Sequence, residues 1–308
     1  MLNIHRITLL VDHTLNNQQA IARAKALCQA HHATLQLVSH TYSHACEEGS
    51  LSDHELRHNL KALLIQRQYE WLAELIREHH LPENTEKQVF WTAHSHSAAN
   101  MADEPHPSQL IIKAAGKHHT LINRLLDHQD WNLMNHADAP VLLVKSRPSW
   151  SSGKILIALD AASKDDEHQI INDHLLEYAE MLNTSGKLQL NLVNSYPSLS
   201  LVLAGLPETP VPDDLQQYVI KQHENGCERY AHHYNVPMEQ VHIREGEAEN
   251  VICEVAKQID ADVIMVGVLP DVGMSEVLLG STVEYVLDHT DADVLALKRQ
   301  DGVDTALE

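Results

Sequence analysis

The sequence predicts an α/β protein built as two tandem domains, each a parallel five-stranded sheet with helices on both faces. Three observations carry this expectation. Short apolar runs alternate with helical patterns in the order β-α-β-α-β-α-β-α-β, and the same order then starts again; such alternation calls for a parallel sheet covered on both sides. Three segments recur: ITLLVD (7–12) against ILIALD (155–160), LQLVSHTYS (35–43) against LQLNLVNSYPS (188–198), and APVLLVKS (139–146) against ADVLALKR (292–299). Between the repeats stands Arg147-Pro-Ser-Trp-Ser-Ser-Gly153, the composition of a linker. The domains expected are therefore 1–146 and 153–299, with 147–152 as linker and 300–308 as a tail.

In the first half, Ile7–Val11 is a short apolar run closed by Asp12 and His13. A helix over 16–31 follows, with Ile21, Ala24, Leu27 and Cys28 on one face. Leu35–Val38 is the second strand. A helical pattern then runs from Ser52 to His80 with the stripe Leu56, Leu60, Leu63, Leu64, Trp71, Leu72, Leu75 and Ile76, and Ser52-Asp-His-Glu55 reads as its capping box. Val89–Trp91 is a strand. Residues 97–107 support at most a brief helix, because Pro105 and Pro107 interrupt it. Leu110–Ala114, a helix over 121–136 and Val141–Val144 complete the half.

The second half reads Ile155–Leu159, helix 167–184, strand 188–194, a Pro-rich loop, helix 213–234, Val241–Ile243 and helix 247–258. Its last unit is the most informative: strand Asp262–Val266 closed by Gly267, a loop, a helix opened by Gly280, Ser281 and Thr282, and strand Val294–Leu297. A helix N-terminus at the carboxyl end of such a sheet offers backbone N–H groups and a positive dipole end to an anion. Ser281-Thr-Val-Glu284 is also a capping box that would close the helix start on itself.

Composition narrows the partners. With 308 residues and 44% apolar content the chain can fill two cores, and its net charge of −21 argues against nucleic acid and anionic membrane surfaces. No run approaches the ~20 apolar residues of a membrane span. The four cysteines are scattered without a CxxC, which suits a reducing compartment, so a cytoplasmic protein is expected.

The 24 histidines are unevenly spread, 17 before residue 150 and 7 after it. His13, His40, His44, His94, His96 and His118–His119 fall at expected strand ends or in the loops behind them, and zinc is the metal such a set could hold. Their spacing matches no standard zinc signature, and compositional drift on a solvated surface is the preferred explanation over a metal or anion site. No catalytic motif stands out.

Asp130-Trp131, the strand end NSYP (194–197) and LLGSTVEYVLDHTDADVLALK (278–298) resemble tandem universal stress proteins, in detail the E-type two-domain members, and the resemblance spans residues 3–299. It implies Rossmann-like domains of strand order 3-2-1-4-5, joined as a pseudo-dimer through their last strands, with further homodimerisation open. It also implies a pocket for an adenine nucleotide such as ATP, with Mg²⁺, lined by the motif G-2x-G-9x-G-[S/T]. In the second half Gly267 fills the first position and Gly280 with Ser281 the last, while Pro270 and Asp271 stand at the middle glycine, with Gly273 beyond. Asp160, Asn194, Ser195 and Thr282 complete the implied site. The same ungapped register in the first half gives Ala114, Lys117, Asp127 and His128, so nucleotide binding is not expected there. The reading is a stress-response binding and regulatory module with a small-molecule pocket in the second domain and protein partners of unknown identity. The alternatives are an interaction protein with relic pockets, a weak ATPase using a carboxylate-held Mg²⁺, or a His-rich first domain that binds something other than ATP.

Overall fold

The computed structural model describes residues 4–47, 53–102, 106–116, 129–183, 186–199, 213–268 and 281–298. The chain divides into two compact units between Ser146 and Arg147. In the N-terminal unit, β1 (Arg6–Leu10), β2 (Thr34–Thr41), β3 (Glu86–Trp91), β4 (Leu110–Ala114) and β5 (Val141–Val144) pair in parallel in the order β3-β2-β1-β4-β5. In the C-terminal unit, β6 (Lys154–Ala158), β7 (Gln189–Tyr196), β8 (Val241–Glu245), β9 (Val263–Val268) and β10 (Asp293–Lys298) give β8-β7-β6-β9-β10, again all parallel. Both are the order 3-2-1-4-5.

Right-handed crossovers place the first two helices of each unit on one face and the last two on the other. In the N-terminal unit these are Gln18–His31 with His54–Glu78, and Ser95–Ala102 with Gln129–His136. In the C-terminal unit they are Asp166–Leu182 with Asp213–His233, and Ala248–Ile259 with Ser281–His289. Being covered on both faces, the central strands are buried throughout: Ile7, Leu9, Leu37, Ile111, Ile112, Ile155, Ile157, Ile264 and Met265 are at 0–1% exposure. Among the described residues no helix is long and apolar enough to cross a membrane.

Sheet register corrects the sequence alignment of the second strands. Leu10 pairs with Val38 and Ala158 with Val193, so Ser39 corresponds to Asn194 and His40 to Ser195. β2 and β7 run to Thr41 and Tyr196, past the expected ends, because β3 and β8 pair with them up to those residues. β9 likewise runs through Gly267 to Val268, held by β10.

The long first-half helix differs from expectation in two ways. Its N-cap is Asp53, whose carboxylate accepts from the N–H groups of Glu55 (2.9 Å) and Leu56 (3.2 Å); an aspartate one residue later serves the cap as well as serine would. Of the expected apolar stripe only Leu72 and Leu75 are buried, while Leu56 and Leu63 are 45% and 43% exposed. A helix of 25 residues is about 37 Å long, whereas the six residues of β3 span about 20 Å. Its first turns therefore run beyond the sheet.

The Pro/Ser/Gly segment between the repeats is pinned rather than loose. Asp262, 1% exposed, accepts from Gly153 N–H (2.7 Å) and the Ser152 hydroxyl (2.9 Å), and the Trp150 indole donates to Asp293 (2.7 Å). At the other end of a crossover, Gln18–His31 stops on His32 in the left-handed region (φ 56°), its N–H bonded to Cys28 O. Glycine adopts that conformation without the Cβ penalty. His32→Gly is expected to raise stability by about 0.5–1 kcal/mol, read as a higher urea midpoint at unchanged slope.

Candidate functional site

In each unit the strand order reverses between the first and fourth strands, and an aspartate follows the first strand at that point: Asp12 after β1, Asp160 after β6. One asparagine braces each loop. Asn17 accepts from Asp12 N–H (3.3 Å) and donates to Asp12 O (2.7 Å); Asn172 does the same at Asp160 (3.3 and 2.9 Å). The brace is conserved in geometry although Asn17 is five residues beyond its aspartate and Asn172 twelve.

The carboxylates themselves differ. Asp12 Oδ1 is taken by the Thr14 N–H (2.8 Å) and hydroxyl (2.7 Å). Burial pushes Asp12 up, but those bonds, with His40 and Lys113 nearby, outweigh it and hold the group below its ordinary value. Asp160 keeps a side chain 51% exposed, with His168 Nε2 at 3.6 Å. His168 Nδ1 lies 2.9 Å from Asp165 Oδ2, and that bond lowers Asp165. The second-half carboxylate is thus the one left open to a ligand.

The helix Asp213–His233 closes over this loop with one face. His223 Nδ1 meets Asn194 Oδ1 at 2.6 Å, Gly226 lies against Ala161, and the Tyr230 hydroxyl accepts from Asn172 Nδ2 at 3.3 Å. Positions 223, 226 and 230 are i, i+3 and i+7, so one helical stripe touches β7, the loop and its brace together. A Cβ at Gly226 would stand 2.0 Å from Ala161 O, so glycine is required there. Sequence reasoning missed His168, His223 and Gly226; the spacing of His223, Gly226 and Tyr230 was the available signal.

The other expected residues fall as follows. Asn194 is 3% exposed and its amide is engaged at both ends, donating to Leu159 O (2.7 Å) and accepting from His223. It therefore positions His223 instead of meeting a ligand. Ser195 is half-buried in β7, paired with Arg244. Gly267 sits within β9, where a Cβ would come 2.8 Å from Ile171 Cγ1, so it lets the helix Asp166–Leu182 lie close on the sheet. Thr282 is half-buried in the first turn of the helix that Ser281 begins. Gly273 and Gly280, with Pro270 and Asp271, lie outside the described residues, as do Lys117, His118, Asp127 and His128 of the first half.

The N-terminal unit carries different chemistry at the matching place. Lys113 Nζ and Asp130 Oδ1 form an ion pair at 2.5 Å with side chains 4% and 0% exposed, and Asp130 Oδ2 accepts from Gly116 N–H at 2.7 Å. The strand registers make Val266 the counterpart of Lys113, and the same 17-residue step leads to Val283 as the counterpart of Asp130; these valines are 2% and 3% exposed. A buried ion pair in one unit is an apolar pair in the other.

The long helices differ in the same spirit. Gln68 bonds Ser39 (3.1 Å) as His223 bonds Asn194, so Trp71 takes the place of Gly226, and His13 that of Ala161. His13 and Trp71 stack with centroids 3.5 Å apart, and a groove of about 380 Å³ opens beside them over Ile21 and Leu75. The remaining histidine candidates gather elsewhere on the rim. His94 and His96 stack at 5.4 Å, and His136, which was not expected, meets His96 at 5.1 Å. Burial, then His136 and His94, hold His96 below its ordinary value. His40, lowered chiefly by burial, points Nδ1 at Thr92 O (3.2 Å). Among the described residues no three His, Cys, Asp or Glu are placed to hold a metal ion.

Comparison with known proteins agrees with this architecture. The family model described as the universal stress protein family matches residues 3–145 and again 152–298. Universal stress protein E of Escherichia coli (strain K12) is 25% identical over 296 residues, covering 94% of this chain and 92% of its own. The universal stress protein E homolog of Haemophilus influenzae is 25% identical over 302 residues, covering 95% and 96%. Among solved structures, a protein of unknown function from Pseudomonas aeruginosa PAO1 aligns with TM-score 0.72 at 25% identity over 97% of this chain and 94% of its own. A universal stress protein from Archaeoglobus fulgidus aligns with TM-score 0.64 at 16% identity over 97% and 98%, a likeness of fold. With two matching domains in tandem, the chain belongs to the universal stress protein family.

Proposed function

We propose that this protein is a cytoplasmic stress-response module whose C-terminal unit binds an adenine nucleotide with Mg²⁺, and whose N-terminal unit binds none. The contrast between the two fourth strands carries the reading. In the N-terminal unit the chain's own carboxylate, Asp130, already occupies Lys113 and the loop N–H of Gly116, the kind of donors an anionic ligand would use. In the C-terminal unit the same positions are Val266 and Val283, which leave that role to a ligand.

The residues present fit such a ligand. The exposed Asp160 carboxylate would take a ribose hydroxyl or hold the Mg²⁺. Ser281 and Thr282, at the start of a nine-residue helix, would face the phosphates. Bound Mg²⁺ would neutralise phosphate charge in a protein that is itself strongly acidic. The four cysteines are free, and burial pushes Cys28 and Cys227 up to about 12, which suits a reducing compartment where thiols stay inert.

Calorimetry with ATP and Mg²⁺ tests this. One site per chain is expected in the intact protein and none in Gly280→Asp, which writes the first half's Asp127 into the second. Absence of heat and of any thermal shift at millimolar ATP would leave both pockets as relics and shift attention to surface interactions.

A further inference from the structure

The hydrogen bonds around Asn194 determine how His223 presents itself. Leu159 O is a carbonyl and can only accept, so the Asn194 atom 2.7 Å from it is the Nδ2 donor. Asn194 Oδ1 therefore faces His223 and can only accept, so the proton of that 2.6 Å contact is on His223 Nδ1. In a neutral imidazole with Nδ1–H, Nε2 carries a lone pair and no proton. Burial lowers the His223 pKa, with Asp160 opposing it, and keeps the ring neutral near pH 7. Nε2 has no hydrogen-bond partner among the described residues, and the His223 side chain is half-buried. The ring lies by Tyr196, centroids 5.8 Å apart, and within electrostatic reach of Asp160.

The carboxyl ends of β6 and β7 thus display a fixed acceptor beside an aromatic ring, aimed by a buried amide. We infer that His223 is the specificity-determining residue for the base of the bound nucleotide, and that its Nε2 accepts a hydrogen bond from an exocyclic amino group. The inference rests on the nucleotide reading above and adds a selection rule to it. A 6-amino purine satisfies the acceptor. A 6-oxo purine sets a carbonyl oxygen against the Nε2 lone pair and leaves both unpaired. His223 stands on the helix Asp213–His233.

The test compares ATP with inosine triphosphate, which differs at the 6-position. Calorimetry should give ATP about tenfold tighter binding to the intact protein, the usual scale for one partly buried hydrogen bond. His223→Leu should bring the ratio close to one, and His223→Lys, a donor without a lone pair, should reverse it. Because the ratio is taken within each variant, a general loosening caused by an unpaired Asn194 does not mimic the result. Nitrogen-15 NMR of the ligand-free protein at neutral pH supplies a readout without nucleotide: His223 should show protonated Nδ1 and bare Nε2. Binding of neither nucleotide to the intact protein would overturn the nucleotide reading and this inference with it. Binding with the same ratio in His223→Leu, or an Nε2–H tautomer, would overturn this inference alone.

Discussion

Asp130→Ala is expected to remove about 3–5 kcal/mol from the stability of the N-terminal unit, while Lys113→Val combined with Asp130→Val recovers most of that loss. Removing one member of a buried pair leaves the other charge uncompensated, and that penalty exceeds the worth of the pair itself. Lys113, 3% exposed in β4, would keep only the weak bond to Ala114 O at 3.4 Å among the described residues. The double substitution restores a combination the protein already uses, because Val266 and Val283 fill the equivalent positions with 2% and 3% exposure. The recovery should fall short of wild type by about 1–2 kcal/mol, since Gly116 N–H loses its acceptor as well. Urea titration followed by intrinsic fluorescence suits the test, because Trp71, Trp91 and Trp131 belong to this unit and only Trp150 to the other. A single substitution costing under 1 kcal/mol would mean the pair is solvated; a double variant no better than the single would mean the site cannot accept apolar packing.

That pair also marks where the sequence stopped being legible. Leu110–Ala114 reads correctly as a strand despite Lys113, because its neighbours are apolar on both sides and a lone lysine does not break the pattern. The partner of that lysine is set by tertiary packing across 17 residues, which no local pattern shows; the ungapped register of the repeat places valines at both positions in the second unit, and the sheet registers agree. The strand order was implied by the resemblance to tandem universal stress proteins, whereas the repeat itself and the aspartates after the first strands were visible, since each depends on local pattern and on short apolar runs. The alignment of the second strands was not, because β7 carries two more residues before the shared strand end; pairing with β1 and β6 fixes Ser39 against Asn194. Asn194 was expected as a ligand contact because the resemblance places the family's pocket at that strand end. Its burial and its bond to a helix 29 residues away make it a support for His223 instead.

The second large effect concerns Gly226, whose one signal in the sequence is its helical spacing from His223 and Tyr230. Within a 21-residue helix a glycine ordinarily costs about 1 kcal/mol relative to alanine, so propensity alone predicts that Gly226→Ala stabilises the protein. Packing predicts the opposite. The new Cβ would lie 2.0 Å from Ala161 O, 2.6 Å from its carbonyl carbon and 3.2 Å from its Cβ. Two of those three atoms are backbone, and the loop they belong to is braced by Asn172, so no flexible side chain can yield. The helix or the loop must move by about 1 Å or more, at a cost of about 3 kcal/mol, which outweighs the gain in propensity and leaves a net loss of about 2 kcal/mol. The same displacement separates His223 from Asn194 and shifts Asp160, so nucleotide affinity should fall at least tenfold even where the protein remains folded. The N-terminal unit shows what a bulky residue does at this position: Trp71, stacked on His13, stands where Gly226 stands, and a groove opens beside the pair. Urea midpoints and ATP calorimetry on Gly226→Ala measure both consequences. A variant more stable than wild type would show that the helix is free to retreat, and would remove the reason for tying His223 to the loop that carries Asp160.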